Sequence, residues 1–170
     1  MDTGDDTDYL LLHKAVRTGQ VKFVELLLDA GAEINGESSE YLEIAVEIRS
    51  ADIVRCLLQR GVDPNQVWPG NPFTPLHLSL MEQELNFWHG SLDKHRPIYL
   101  DIVKMLNASG VDVDAYSSEE GYPLQITYKK ILGNLWGPKP AVEQYLKAHD
   151  LFLQACADPN LYPSALQCAA

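Results

Sequence analysis

Positive charge is scarce in this chain. Thirteen Lys and Arg stand against 24 Asp and Glu over 170 residues, a formal net charge of −11. Phosphate contacts need clustered basic side chains, so this balance excludes generic nucleic-acid binding. Cysteine is scarce too. Cys56, Cys156 and Cys168 are odd in number and widely spaced, which excludes a disulfide framework and a CxxC zinc site. Reduced thiols in a cytoplasmic or nuclear protein are the expectation. No stretch approaches the ~18 apolar residues of a membrane span. The opening Met1–Asp8 is acidic and lacks the basic-then-apolar order of a secretion signal. Signatures of catalysis are missing as well: there is no G-x-S-x-G elbow, no Gly-rich phosphate loop and no dinucleotide fingerprint. The sequence thus marks no catalytic residue and calls for no cofactor. With 46% hydrophobic residues, the chain is nevertheless rich enough to fold.

What is present is repetition. Leu12-His13-Lys14-Ala15, Leu42-Glu43-Ile44-Ala45, Leu76-His77-Leu78-Ser79, Leu124-Gln125-Ile126-Thr127 and Leu166-Gln167-Cys168-Ala169 share one pattern: Leu, a polar residue, a variable residue, a small residue. The first four are each followed by a closing phrase, Gly31-Ala32-Glu33-Ile34-Asn35, Gly61-Val62-Asp63-Pro64-Asn65, Gly110-Val111-Asp112-Val113-Asp114 and Cys156-Ala157-Asp158-Pro159-Asn160. From opening Leu to closing Asn or Asp the distance is 23, 23, 38 and 36 residues, so the third and fourth units carry 15 and 13 extra residues in the same frame. Insertions of this kind map to loops on one face of a stacked array.

Each frame reads as two short helices and an extended turn. In the first unit Leu11, Leu12, Ala15 and Val16 recur at helical spacing, Thr18-Gly19-Gln20 interrupts, and Val21, Val24, Leu27 and Leu28 form a second face. Gly31 suits the left-handed position past a helix end. Ile44, Ala45 and Ile48, then Ile53, Val54, Leu57 and Leu58, repeat the pattern before Gly61. A helical pair is too thin to bury an apolar face alone and does so by stacking on its neighbours. The small residue in each opening phrase then has a reason, because closely packed helices leave room there for Ala, Ser or Thr.

These residues also identify a family. Thr74-Pro75-Leu76-His77 is the opening motif of an ankyrin repeat; Gly121-Tyr122-Pro123-Leu124 and Tyr162-Pro163-Ser164-Ala165-Leu166 resemble it, and the segment from Val54 to Asn65 resembles an ankyrin second helix with its exit turn. The chain therefore resembles an all-α ankyrin solenoid of four repeats and a partial fifth, with long insertions in repeats three and four. The repeats read as 9–39, 40–72, 73–120, 121–161 and a partial 162–170, after an acidic lead-in at 1–8 whose acids also suit the start of a helix. The resemblance implies a concave surface lined by first helices and hairpin tips, with second helices on the convex back. It implies that His13 and His77 hydrogen-bond backbone and a nearby Thr hydroxyl, tying adjacent turns together.

A repeat array presents a recognition surface, so the expected function is non-catalytic protein–protein interaction through the concave groove, in a scaffold role. Candidate contacts are Glu43 and Glu47, an i, i+4 acidic pair on a first helix; Trp68 and Phe73 by the second tip; the third-tip acids Glu119 and Glu120; and Trp88 and Trp136 in the insertions. Those acids imply a partner with a basic segment. The alternative is a small-molecule or enzymatic site between the insertions, using Trp88, His89, His95, Tyr128 and Trp136. His89, Asp93 and His95 match no rigid zinc spacing, so no metal is expected. Cys56 reads as an inert buried thiol on a second-helix face. Between Thr127 and His149, four Lys against Glu143 alone offer a face for an acidic partner or for solvent. The apolar ending Ala165–Ala170 leaves open a truncated domain, a single-helix cap or self-association.

Overall fold

A computed structural model describes residues 5–34, 40–67, 70–81, 100–133 and 139–155, with the side chains of 5–8 and 139–141 excepted. It contains eight helices among those residues: α1 (Asp5–Arg17), α2 (Val21–Asp29), α3 (Tyr41–Glu47), α4 (Ala51–Gln59), α5 (Pro75–Leu80), α6 (Leu100–Ala108), α7 (Pro123–Gly133) and α8 (Lys139–Ala155). No strand occurs among the described residues; Ser117 and Gly121 form an isolated antiparallel bridge. The helices pair as α1–α2, α3–α4, α5–α6 and α7–α8. First helices then pack in the row α1–α3–α5–α7, and second helices in the row α2–α4–α6–α8. The product is a two-layer stack with one continuous apolar seam.

The opening phrase occupies one structural position in all four hairpins. Leu12, Leu42, Leu76 and Leu124 are all buried, as are Ala15, Ala45, Ser79 and Thr127 one turn later. Where the small residue carries a hydroxyl, that group donates back along its own helix: Ser79 Oγ to the Leu76 carbonyl and Thr127 Oγ1 to the Leu124 carbonyl, both at 2.7 Å. Ser79 is thereby satisfied within its own helix, while Thr127 Oγ1 also lies 3.0 Å from His149 Nδ1 on α8.

Helix ends follow from the sequence with equal regularity. At Gly31, Gly61 and Gly110 φ is 94°, 83° and 81°, the left-handed region that glycine reaches without a Cβ clash. The following amides, of Ala32, Val62 and Val111, donate back to the carbonyls of Leu27, Leu57 and Leu106, which closes each second helix in a Schellman turn. First helices of repeats one and two close the same way, at Gly19 and at Arg49. Arg49 is the one non-glycine residue with positive φ among the described residues, at 59°. Its guanidinium donates to the Met81 carbonyl at 3.0 Å, so it links the end of α3 to the end of α5.

Three expectations need correction. The extra length of repeat four is not chiefly a loop: α7 has 11 residues against 7 in α3, and α8 has 17 against 9 in α4, which leaves only 134–138 between them. Helix takes up the added residues because Tyr145, Ala148 and Phe152 continue a buried stripe along α8. Next, α1 opens at Asp5, inside the acidic stretch read as a lead-in. Finally, His13 does not find a Thr hydroxyl. Leu10 stands where repeat three has Thr74, and the His13 imidazole pairs with the Glu40 carboxylate at 2.7 Å. The insertion of repeat three (82–99), Cys156 in its glycine-like position and the partial fifth repeat lie outside the described residues.

Candidate recognition surface

The residue after each opening Leu controls how one repeat meets the next. In repeat three this is His77, fully buried. Its Nε2 lies 3.0 Å from the Gly121 carbonyl, which can only accept, so Nε2 carries the proton. Nδ1 is then an acceptor, and the Thr74 hydroxyl donates to it at 2.7 Å. Thr74 also receives the His77 amide and caps α5, with Pro75 at the first helical position. Burial lowers the His77 pKa from its ordinary value, and the Gly121 bond and Glu120 oppose that shift. The imidazole is therefore a neutral clasp between repeats three and four.

The equivalent side chains reach related places. His13 meets Glu40, immediately before α3. Glu43 is buried, and its carboxylate accepts from Asn71 Nδ2 at 3.4 Å, in the segment leading to α5. Gln125 turns to its own helix and accepts from the Tyr122 amide at 3.2 Å. Glu43 is thus taken up inside the stack, which corrects the expectation that it lines an open groove. A second row of links joins the closing phrases: Asn65 Oδ1 accepts from the Asp112 amide at 2.6 Å, and Asn65 Nδ2 donates to the Gly110 carbonyl at 3.3 Å.

The other expected contacts divide clearly. Glu47 is half-buried on α3, and its carboxyl is raised above the usual range by desolvation and then by Glu40, against the opposing Arg17. Phe73 is half-buried and leans on His77, with ring centres 6.3 Å apart. It supports the clasp more than it offers a free anchor. At the third tip, mutual amide–carbonyl bonds between Ser117 and Gly121, both 2.9 Å, close a tight turn. Glu119 is exposed there, while Glu120 is half-buried and pairs with Lys129 at 3.5 Å. Trp68, Trp88 and Trp136, with His89 and His95, lie outside the described residues. Tyr128 is exposed on α7.

Other surface residues were not singled out by the sequence. Tyr116 is exposed at the third tip and meets Tyr122 edge-on, ring centres 5.1 Å apart. Its place in the tip was readable; its exposure depends on the closed Ser117–Gly121 turn. Tyr9 lies over both His13 and Tyr41, at 5.8 and 5.9 Å. Burial and the nearby Tyr9, Glu33 and Glu40 hold the Tyr41 hydroxyl far above its ordinary range, so it stays neutral. Tyr9, His13, Glu40 and Glu47 thus give the first-helix side of repeats one and two an aromatic and acidic character.

On the second-helix side, a groove of about 280 Å³ lies between α2 and α4, lined by Glu25, Asp29, Asp52, Arg55, Cys56 and Arg60 among others. Asp52 pairs with Arg55 and Asp29 with Arg60, so its charges are largely matched. Cys56 is a free, buried thiol whose pKa burial pushes up, which disfavours the reactive thiolate. The Lys-rich stretch is partly paired as well, Lys147 with Glu143 at 2.7 Å and Lys129 with Glu120. No set of three or more metal-ligating side chains converges among the described residues.

Comparison with known proteins agrees with this architecture. Residues 12–117 match ankyrin repeats in three copies. The chain is 30% identical over 145 residues to the human transient receptor potential cation channel subfamily A member 1, an alignment covering 80% of this chain and 13% of that protein. This chain therefore spans about an eighth of the length of that relative. No described helix is long and apolar enough to cross a membrane. Ankyrin repeats are in general protein–protein interaction modules, and this chain belongs to the ankyrin-repeat family.

Proposed function

We propose that the protein binds a partner protein through the first-helix and hairpin-tip side of its stack, without catalysis, and that the partner contributes a basic segment. Tyr9, Glu40 and Glu47 form one part of the surface, and Tyr116 with Glu119 forms another. Glu43, Phe73 and His77 hold the repeats in register behind them. The observation that carries the reading is the condition of Glu47. Its half-buried carboxyl sits above its usual range because burial and Glu40 disfavour the charge. A partner Lys or Arg placed beside it would relieve that cost, so part of the binding energy is stored in the unbound surface. Exposed tyrosines add large contact area with few rotors. The relative is named a cation channel; the reading carried across is recognition by the shared repeats, and conduction stays with the channel.

The test is a selection of peptides from a random display library against the intact chain, followed by titration of the winners. Arg- and Lys-rich peptides should win. Their affinity should fall steeply with salt and by roughly tenfold or more in Glu47→Lys, since each rim or half-buried charge contributes on the order of 1–2 kcal/mol. Winners without basic residues, or an unchanged affinity in Glu47→Lys, would refute the reading.

A further inference from the structure

Cys56 is small where its copies are long. Counted back from the glycine that ends each second helix, the fifth residue is Leu26, Cys56 and Met105 in repeats one, two and three. Met105 packs against the core from its place on α6. Cys56 cannot fill the same space on α4, and the groove of about 280 Å³ between α2 and α4 opens over its thiol. Val21, at the start of α2, is the other apolar side chain in the lining. The thiol is buried and protonated at neutral pH: burial raises its pKa, and Glu25 and Asp29 add to that rise against Arg60. These three charges therefore stand close around a neutral floor.

The walls hold three carboxylates and two guanidinium groups. Arg60 reaches across from α4 to Asp29 on α2, and Arg55 pairs with Asp52 on its own helix at 2.7 Å. Both basic groups are thus engaged, and one acid is left over. Glu25 is exposed and has no hydrogen-bond or ion-pair partner among the described residues. Asp29 follows it one helical turn later, so two like charges face each other on α2. An incoming cation meets an acid ready to receive it; an incoming anion must first displace Asp29 or Asp52 from its Arg. Too few metal-ligating side chains converge among the described residues for a bare metal ion to be that cation. A guanidinium is weakly hydrated, meets a carboxylate as a planar fork and brings an apolar stem that suits the floor.

We propose that the α2–α4 groove takes up an Arg side chain of a partner protein, with its stem over Val21 and Cys56 and its guanidinium at the Glu25 carboxylate. The groove belongs to the second-helix layer of the stack. The inference therefore does not rest on the first-helix and tip surface proposed above, and the stack binds on both of its layers.

Proton–nitrogen NMR of the full chain, titrated with n-propylguanidinium as the Arg side chain alone, tests this. The amides of Glu25, Asp29, Cys56 and Arg60 should shift and saturate. Butyrate, an anion of similar length, should leave them in place. Glu25→Gln removes the charge at an exposed site and should weaken the binding roughly fivefold or more without lowering the melting temperature. Cys56→Met installs the residue of repeat three and should close the groove, with a similar loss of binding in a folded chain; if that variant does not fold, Glu25→Gln decides. Glu47→Lys, which weakens binding at the first-helix side, should leave these shifts as they are, so either contact can fail without the other. The proposal is overturned by the absence of saturable shifts at these four amides, by undiminished binding in either folded variant, or by butyrate moving them more than the cation does.

Discussion

Repeats one and two solve the stacking problem with different chemistry from repeats three and four. In the small position the first half places Ala15 and Ala45, while the second places Ser79 and Thr127 with their hydroxyls turned back onto their own helices. In the position after Leu the first half places an acid in each link, His13 hydrogen-bonded to the Glu40 carboxylate and the buried Glu43 to Asn71. The second half uses neutral groups, His77 to a carbonyl and Gln125 to an amide. The difference teaches that stacking geometry fixes size and hydrogen-bonding need at a position, and leaves residue identity free. It also places the unpaired cost of charge in the first half, where Glu47 carries it.

The comparison breaks most sharply at His77. His77→Ala leaves the Gly121 carbonyl and the Thr74 hydroxyl without their partner in a buried site, and should destabilise the chain by about 2–4 kcal/mol in urea unfolding. The half-exposed His13→Ala should cost less than about 1 kcal/mol. His77→Gln should recover part of the loss, as Gln125 fills the equivalent place. The pH dependence follows in sign. Burial lowers both His77 and His149 in the fold, so the unfolded chain binds more protons in that range. Stability should therefore fall as pH drops below about 6.5, and His77→Gln should flatten the fall.

A smaller effect tests the close approach of the first helices. Ala45→Leu adds three carbons where there is no exposed surface at all, and should cost about 1–3 kcal/mol by overpacking. An unshifted melting curve would mean that α1, α3 and α5 are not in tight register.

Smallest is the charge effect in the first half. Glu47 has a raised carboxyl, so its ionised form costs stability at neutral pH and the cost disappears once both states are protonated. Glu47→Gln should stabilise the chain by a few tenths of a kcal/mol at pH 7, on the scale of like-charged helical pairs. The gain should shrink to nothing below the ordinary carboxylate range. A stabilisation that persists in acid would assign the effect to something other than charge.

Much of the fold was legible because backbone geometry dictates it. A left-handed turn wants glycine, and closely packed helices want a small residue, so Gly31, Gly61, Ala15 and Ala45 announce their roles. Arg49 shows the limit: it takes the left-handed place that Gly19 has in repeat one, and its compensation, the Met81 carbonyl, is 32 residues away. Glu43 looked like a groove acid because its partner Asn71 is 28 residues away in sequence. The length added to repeat four reads as a loop because insertions in a stacked array map to loops; only the buried stripe of α8 reveals the helix. The candidate surface was less readable, since exposure of Tyr116 and desolvation of Glu47 arise from neighbours that the frame brings together.

Amide hydrogen exchange tests the central claim most directly, that four hairpins stand in equivalent surroundings along one stack. The amides of Ala15, Ala45, Ser79 and Thr127 should all exchange slowly, with the two interior positions, Ala45 and Ser79, protected to nearly the same degree, while Ser118 at the exposed third tip exchanges fast. Rapid exchange at Ala45 or Ser79, matching that of Ser118, would contradict it.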